Sequence, residues 1–273
     1  MRLRLLVVIL GVLAAGCARV DHAAAPLLLE SDPPTSTAPV PAGVDFPVDA
    51  VPRPIVLFAP KLVTVEWMGL GEEKLAHGHG YRFTGVEPPT PGPAEVVLID
   101  GPASFPLVGM RDALAGMSAG AREGEPLELV SAELGRATFR TDRGDLELPA
   151  WLFRSAFGSV YAWPALTPDA FWKQGEVIPG AQDAKTSDGV HLEVELGAPY
   201  PPCPGDEPVV REPVVTETET SVVIGVRETG PVGNCAHATI YRFQYYPVTL
   251  SKPLGARLLV FEKDNGIIPV TPR

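Results

Sequence analysis

Apolar and polar residues alternate with a period of two along much of the C-terminal third of the chain, which is typical of half-buried β-strands. In the segment HLEVEL at 191–196, the three aliphatic side chains fall on one face of the predicted strand. Residues 214–228 predict a strand, a turn and a second strand, and later strand-like segments end in a turn at Asn265-Gly266. Short strands at this spacing predict a small antiparallel β-sandwich-like domain over 186–273.

The central part of the chain combines strand signals with one helical period. Residues 94–108 carry an Asp-Gly pair between two apolar runs, which predicts a β-hairpin. Residues 110–117 place apolar side chains at offsets 0, 3, 4 and 7, which is one face of a short helix. Together these segments predict one hairpin followed by one short helix.

A longer β segment follows the predicted helix. Residues 127–153 alternate in short runs, and we interpret the pairs Leu134-Gly135 and Arg143-Gly144 as turns between them. This pattern predicts an antiparallel meander of three strands.

These elements divide the predicted fold into two regions. A β-rich α+β domain with one short helix is predicted over 53–175, ahead of the β-sandwich-like domain. The stretch 164–189 is rich in Pro, Gly and Asp and predicts a linker or a shared wall between the two domains. The predicted fold class is therefore mainly β.

The N-terminus has the composition of a targeting segment. Arg2 and Arg4 precede an uncharged apolar run over 5–15, which would be about 16 Å long as a helix. This is shorter than the roughly 30 Å hydrocarbon core of a bilayer. A short apolar run with a basic flank and small residues at its end predicts a secretory signal peptide over 1–16.

The end of this leader resembles the bacterial lipobox. The residues in question are Leu13-Ala14-Ala15-Gly16-Cys17, in the order Leu, small, small, Gly, Cys. The resemblance implies cleavage before Cys17 and lipidation of that cysteine. It also implies an extracytoplasmic protein attached to the cell membrane through its lipid. The alternative is an ordinary secretory leader with a chance cysteine.

The residues after Cys17 support an anchored arrangement. Residues 17–52 are rich in Pro, Ala, Ser and Thr and show no hydrophobic period, so they predict a tether. Proline-rich chain extends by about 3.1 Å per residue. The predicted tether could therefore hold the folded body well away from the membrane surface.

Charge and cysteine content limit the functional classes further. The formal net charge is -11, which argues against nucleic-acid binding, because that requires a basic face. Cys203 and Cys235 are bounded by turn-forming residues, and outside the cytoplasm such a pair predicts a disulfide. The alternative is a Cys/His metal site or a thiol nucleophile that includes His237.

Two motifs suggest catalytic or adhesive chemistry. Residues 116–120 fit G-x-S-x-G around Ser118, but the strand-turn-helix setting of a hydrolase nucleophile is missing from the pattern. Helix termination by small residues explains the same sequence. Arg143-Gly144-Asp145 is an RGD tripeptide, and a tight turn between strands explains it equally well.

Histidines and carboxylates offer two candidate metal sites. The first is His77 and His79 with Glu72 and Glu73 nearby, and the second is the shared strand face of His191, Glu193 and Glu195. A solvated strand face gives the second pattern by default, and metal sites need three or four ligands held together. We therefore assign no metal ligand, no catalytic residue and no cofactor.

Two further motifs carry a broader resemblance. PAWLF at 149–153 and PLGAR at 253–257 resemble stretches of actinobacterial secreted proteins and lipoproteins that have no established activity. The resemblance implies an extracytoplasmic protein and transfers no activity. We expect a membrane-anchored lipoprotein that binds an unknown protein or envelope ligand. The alternative is a cell-surface hydrolase or metal-dependent enzyme that uses Ser118 or the His/Glu groups.

Overall fold

In a computed structural model of the protein, the described residues are 44–69, 71–173, 176–177, 179–180, 182–230, 235 and 242–273. The predicted leader and Cys17 lie outside these residues. Pro41–Arg273 form one compact unit. Phe46, inside the predicted tether, is 1% exposed, so the packed chain begins ahead of residue 53.

The described chain is mainly β, as the sequence predicts. Its strands are β1 Val63–Glu66, β2 Tyr81–Phe83, β3 Ala94–Leu98, β4 Gly101–Phe105, β5 Leu127–Thr141, β6 Gly144–Ser155, β7 Val160–Pro164, β8 Ala184–Thr186, β9 His191–Gly197, β10 Val210–Glu217, β11 Ser221–Thr229, β12 Phe243–Thr249, β13 Leu258–Phe261 and β14 Val270–Pro272. The α-helices are α1 Gly71–Ala76 and α2 Met110–Met117, and single 3₁₀ turns occupy His77–His79 and Pro168–Ala170. No helix in the described ranges is long and apolar enough to cross a membrane.

The N-terminal half is organised around a five-stranded sheet in the order β1-β7-β6-β5-β2. Its neighbours run antiparallel except for β2 and β5, which are parallel. The predicted hairpin is confirmed as β3 and β4, which pair with each other as a separate ribbon. The predicted helix is confirmed as α2, which buries Met110, Ala113 and Met117.

The predicted meander is a single long hairpin. The turn at Arg143-Gly144 is confirmed, but the turn predicted at Leu134-Gly135 is wrong, because β5 continues through both residues and pairs with β6. A Cβ added at Gly135 would lie 2.6 Å from Cδ1 of Leu152, so this glycine serves close packing across the strands.

The C-terminal half contains a three-stranded sheet, β10-β11-β13, and a four-stranded sheet, β12-β9-β8-β14. The predicted alternation in β9 is confirmed, with Leu192, Val194 and Leu196 buried. The pairs β11/β13 and β14/β8 are parallel, so this half is mixed rather than purely antiparallel. After the turn at Asn265-Gly266, Ile267 forms an isolated antiparallel bridge with Val260. The following strand, β14, pairs with β8 and not with β13.

Aromatic side chains fill the core of the first half. Trp151, Phe153 and Tyr161 are at most 1% exposed and belong to one cluster of buried residues. The indole N–H of Trp151 donates to the carbonyl of Val108 at 3.0 Å, which satisfies its buried polar atom. These aromatic side chains are therefore part of the core.

Candidate functional site

The tip of the β5–β6 hairpin connects the first sheet to the C-terminal half. The backbone N–H of Asp142 donates to the carbonyl of Val56 at 3.2 Å, and Val270 donates to the carbonyl of Asp142 at 2.9 Å. Asp142 is therefore held on both sides by chain from distant parts of the sequence.

Asp142 forms a buried ion pair with Arg53. The two side chains are 2% and 7% exposed, and both terminal guanidinium nitrogens of Arg53 donate to the carboxylate, one of them at 3.2 Å. Arg53 Nε donates to the carbonyl of Ala256 at 3.1 Å, and its guanidinium lies over the ring of Phe46. Such a two-point pair is the strongest hydrogen-bonded form of Arg and carboxylate.

Arg143 also lies at this junction. Its Nη2 donates to the carbonyls of Gly255 and Arg257 at 2.7 and 2.6 Å. Its Nη1 is buried without a hydrogen-bond acceptor and is 3.7 Å from Asp142 Oδ2. The RGD tripeptide is therefore not displayed, because the structure directs its arginine onto the loop at 253–257.

The electrostatic environment of Arg143 is unbalanced. Burial lowers the pKa of Arg143 to about 10, Asp142 opposes this shift, and the neighbouring Arg53 adds to it. The two guanidinium groups share a single buried carboxylate. The junction therefore holds a cation whose charge is only partly compensated.

The loop at 253–257 is the PLGAR motif, and a third arginine secures it. Arg257 is 4% exposed and donates to the carbonyls of Lys252, Pro253 and Leu254 at 3.0–3.3 Å. Its Nη1 also donates to Glu217 at 2.8 Å. The motif thus shapes the carbonyl groups that receive the other two arginines.

A cavity of about 270 Å³ opens beside this junction. Arg53, Asp142 and Arg143 contribute to its lining, together with Ile55 and Leu146. Residues 97–100 of the β3–β4 ribbon also line it. This arrangement places a buried charged cluster next to apolar side chains in a cavity of ligand size, so we take it as the candidate site.

Sequence reasoning missed this cluster. Arg53 lies between two prolines in an irregular stretch, and Asp142 directly precedes the pair Arg143-Gly144 that predicts a turn. The fold brings these two residues together across 89 positions. No local pattern could have shown that pairing.

Ser118 ends α2 rather than a strand. Its Oγ accepts a hydrogen bond from the backbone N–H of Tyr81 at 3.2 Å, and its own N–H donates to the carbonyl of Leu114. It has no hydrogen bond to a histidine within the described ranges, and His237 lies outside them. The glycines of G-x-S-x-G have structural explanations: a Cβ at Gly116 would lie 2.7 Å from the Trp163 ring, and Gly120 has a φ of +80°.

Glu73 is a buried carboxylate held by three hydroxyl groups. Ser155, Ser159 and Tyr161 donate to it at 2.6, 2.8 and 2.9 Å, and Glu73 is 0% exposed. Burial, together with the bond to Glu73, raises the pKa of Tyr161. This network anchors α1 on β6 and β7 and leaves Glu73 enclosed.

This packing separates the residues of the first candidate metal site, which are His77 and His79 with Glu72 and Glu73. Glu72 is exposed while Glu73 is buried, and the ring of His77 packs against Tyr81 and Tyr161 at centroid distances of 5.5 and 5.4 Å. Across the described residues, no group of three or more His, Cys, Asp or Glu side chains is arranged to hold a metal ion.

The strand face of β9 carries ion pairs. His191 Nδ1 lies 2.7 Å from Asp188 Oδ2, and Glu193 lies 3.2 Å from Arg273. The contacts with His191 and with nearby backbone N–H groups lower the pKa of Asp188. These contacts are those of a solvated strand face.

Cys203 and Cys235 form the predicted disulfide, with their Cα atoms 5.8 Å apart. It joins the segment before β10 to a residue between β11 and β12. On the chain-entropy view, a loop of this length contributes about 3–4 kcal/mol to stability.

Comparison of the chain with models of protein families, with curated proteins and with solved structures finds no match.

Proposed function

We propose that the protein is a lipid-anchored extracytoplasmic binding module whose β-rich body takes up a ligand at the junction of Arg53, Asp142 and Arg143. The main observation in support of an extracytoplasmic location is the disulfide between Cys203 and Cys235, because disulfides persist outside the cytoplasm and are rare within it. The proposal agrees with the secretory character of the leader.

The lipobox supports the anchor. Cleavage before Cys17 would leave this residue as the lipidated N-terminus, followed by proline-rich chain. Two or more acyl chains hold a protein firmly at a bilayer without a basic patch. This suits a chain with a formal net charge of -11.

The junction cavity supports binding over catalysis. Its charged groups are fixed by the Arg53–Asp142 pair and by backbone carbonyls, which favours recognition of a ligand group by a rigid surface. Ser118, the candidate nucleophile, serves as a helix cap in the described structure. A hydrolase would need a base at that position.

Cell fractionation tests the anchor with a matched pair of variants. Cys17→Ala removes the acceptor of the lipid, whereas Gly16→Ala keeps a small residue before the cleavage point. We expect the unchanged protein and Gly16→Ala in the membrane fraction with incorporated palmitate, and Cys17→Ala without the label. If Cys17→Ala remained in the membrane fraction and still incorporated palmitate, Cys17 would not be the site of lipidation.

A count of free thiols tests both the lipidation of Cys17 and the disulfide between the other two cysteines. Denatured but unreduced mature protein is expected to have no free thiol, because lipid occupies Cys17 and the other two cysteines are paired. One free thiol would indicate an unlipidated Cys17. Two or more would contradict the disulfide in the native compartment.

A further inference from the structure

A second cavity, of about 360 Å³, includes Trp172 in its lining. The backbone N–H of Trp172 donates to the carbonyl of Ile55 at 3.0 Å, and the indole packs edge-on against the buried ring of Phe46. Both contacts hold the indole in place at the edge of a packed core. The cavity therefore has one fixed aromatic wall.

The rest of the lining combines apolar and charged side chains. The apolar ones are Val44, Val177 and Ile267, and the charged ones are Lys173, Glu176 and Asp264. Asp264 Oδ1 accepts a hydrogen bond from the backbone N–H of Gly266 at 2.8 Å. Neither carboxylate forms an ion pair with a cation in the described ranges. With two carboxylates and one ammonium group, the lining carries a net negative charge.

Lys173 places its ammonium group over the indole of Trp172. The distance from Nζ to the ring centroid is 4.8 Å, which is within the range of a cation–π contact. Lys173 has a φ of +43°, in the left-handed region that residues other than glycine rarely adopt. Such backbone conformations concentrate at functional sites. Lys173 thus shows that this face of the indole accepts a cation.

We propose that this cavity binds a ligand with a methylated ammonium group, which replaces the ammonium of Lys173 on the indole and faces the carboxylates of Glu176 and Asp264. A methylated ammonium needs few or no hydrogen-bond acceptors, and both the ring face and the carboxylates attract its charge. The cavity volume lies at the lower end of the range of small-molecule sites. This site is separate from the cavity at the hairpin tip and does not depend on it.

Calorimetric titration of the full-length protein in a non-ionic detergent tests the ligand class. The probes are choline and its neutral carbon analogue, 3,3-dimethylbutan-1-ol, which has the same shape without the charge. We expect saturable binding of choline and binding of the alcohol that is weaker by about tenfold. Absence of saturable choline binding, or equal binding of the alcohol, would overturn the proposal.

Two variants of the lining locate the site. Trp172→Leu removes the aromatic ring and is expected to weaken choline binding by about tenfold, with circular dichroism as the check of folding. Trp67→Leu, at an exposed tryptophan outside the lining, is its control. Glu176→Gln changes an exposed residue and should weaken binding by about two- to fivefold, whereas the exposed Glu133→Gln should not. Equal binding within either pair of variants would contradict a site at this cavity.

A third pair of variants tests the role of Lys173. Lys173→Gln removes the ammonium that competes for the indole, so we expect choline to bind about two- to fivefold more tightly. Lys263→Gln is the control, because it makes the same change in net charge next to Asp264 but outside the lining. Unchanged binding by Lys173→Gln, or the same gain in both variants, would contradict a ligand cation on the indole of Trp172.

Discussion

Glu73 shows how a single carboxylate can fix an otherwise exposed segment. Most of α1 faces solvent, but Glu73 reaches the core and accepts hydrogen bonds from two serines and Tyr161. A buried charge without a cation is costly unless hydrogen bonds satisfy it. The three hydroxyl donors meet that requirement.

We expect Glu73→Gln to lower the free energy of unfolding by about 1–3 kcal/mol, because a neutral amide replaces an anionic acceptor of three hydrogen bonds. Urea denaturation of the variant measures this loss. Glu72→Gln is the control, since Glu72 is exposed on the same helix. Equal stability of the two variants would contradict the structural role of Glu73.

Glu217 makes the stability of the folded protein depend on pH in the acidic range. Burial works against ionisation of Glu217, but the N–H of Ser251 and the guanidinium of Arg257 outweigh it and lower its pKa below the usual 4.5. A carboxylate with a lowered folded pKa stabilises the protein above its unfolded pKa. That contribution is lost as the pH falls through the folded value.

We therefore expect the urea midpoint of the unchanged protein to fall more steeply below about pH 4.5 than that of Glu217→Gln, which cannot lose this ion pair on protonation. Glu219→Gln changes an exposed glutamate nearby and should follow the unchanged protein. Parallel curves for the unchanged protein and Glu217→Gln would contradict the prediction.

At the scale of elements, α2 depends on a glycine in its interior. Gly116 packs directly on Trp163, and an added Cβ would lie 2.7 Å from the ring. Replacing an interior helical glycine by alanine normally stabilises a helix by about 1 kcal/mol. Here the clash between α2 and the sheet reverses that expectation.

Gly116→Ala is expected to destabilise the protein by about 1–3 kcal/mol through overpacking, as measured by thermal or urea unfolding. Gly78→Ala serves as the control, because an added Cβ at Gly78 meets nothing within 4 Å. Stabilisation by Gly116→Ala would show that the contact with Trp163 is not tight.

The hairpin tip is the second element whose contacts can be tested. Asp142→Asn leaves Arg53 buried without its anion, which is expected to cost about 3–5 kcal/mol of unfolding free energy. The control is Glu87→Gln, which breaks the exposed pair with Arg111 and should cost about 1 kcal/mol or less. Similar urea midpoints for the two variants would mean that the buried pair does not stabilise the junction.

Local patterns predicted the elements better than their pairing. The alternation in β9, the hairpin of β3 and β4 and the period of α2 all follow from neighbouring residues, and all three are confirmed. The turn predicted at Leu134-Gly135 is wrong because a glycine in a sequence can indicate either a turn or close packing between strands. The local pattern does not distinguish these two roles. The parallel pair β11/β13 and the contact of Arg53 with Asp142 join residues that are far apart in the sequence. The local periodicity of apolar residues contains no information about such pairings.

At the scale of the whole molecule, buried arginines join distant parts of one compact unit. Arg53 precedes the first sheet, Arg143 lies at the tip of its longest hairpin, and Arg257 belongs to the PLGAR loop of the C-terminal half. The three side chains share the carbonyls of 252–257. The N-terminal and C-terminal halves of this unit thus meet beside the candidate site.

The proposed function places this body on a tether outside the cytoplasm, and the identity of the mature N-terminus tests that claim most directly. Mass spectrometry of the protein isolated from membranes of its native cell should find an N-terminal peptide that begins at Cys17 and carries the mass of diacylglyceryl. A mature protein that begins at another residue, or one whose Cys17 is unmodified, would contradict the account.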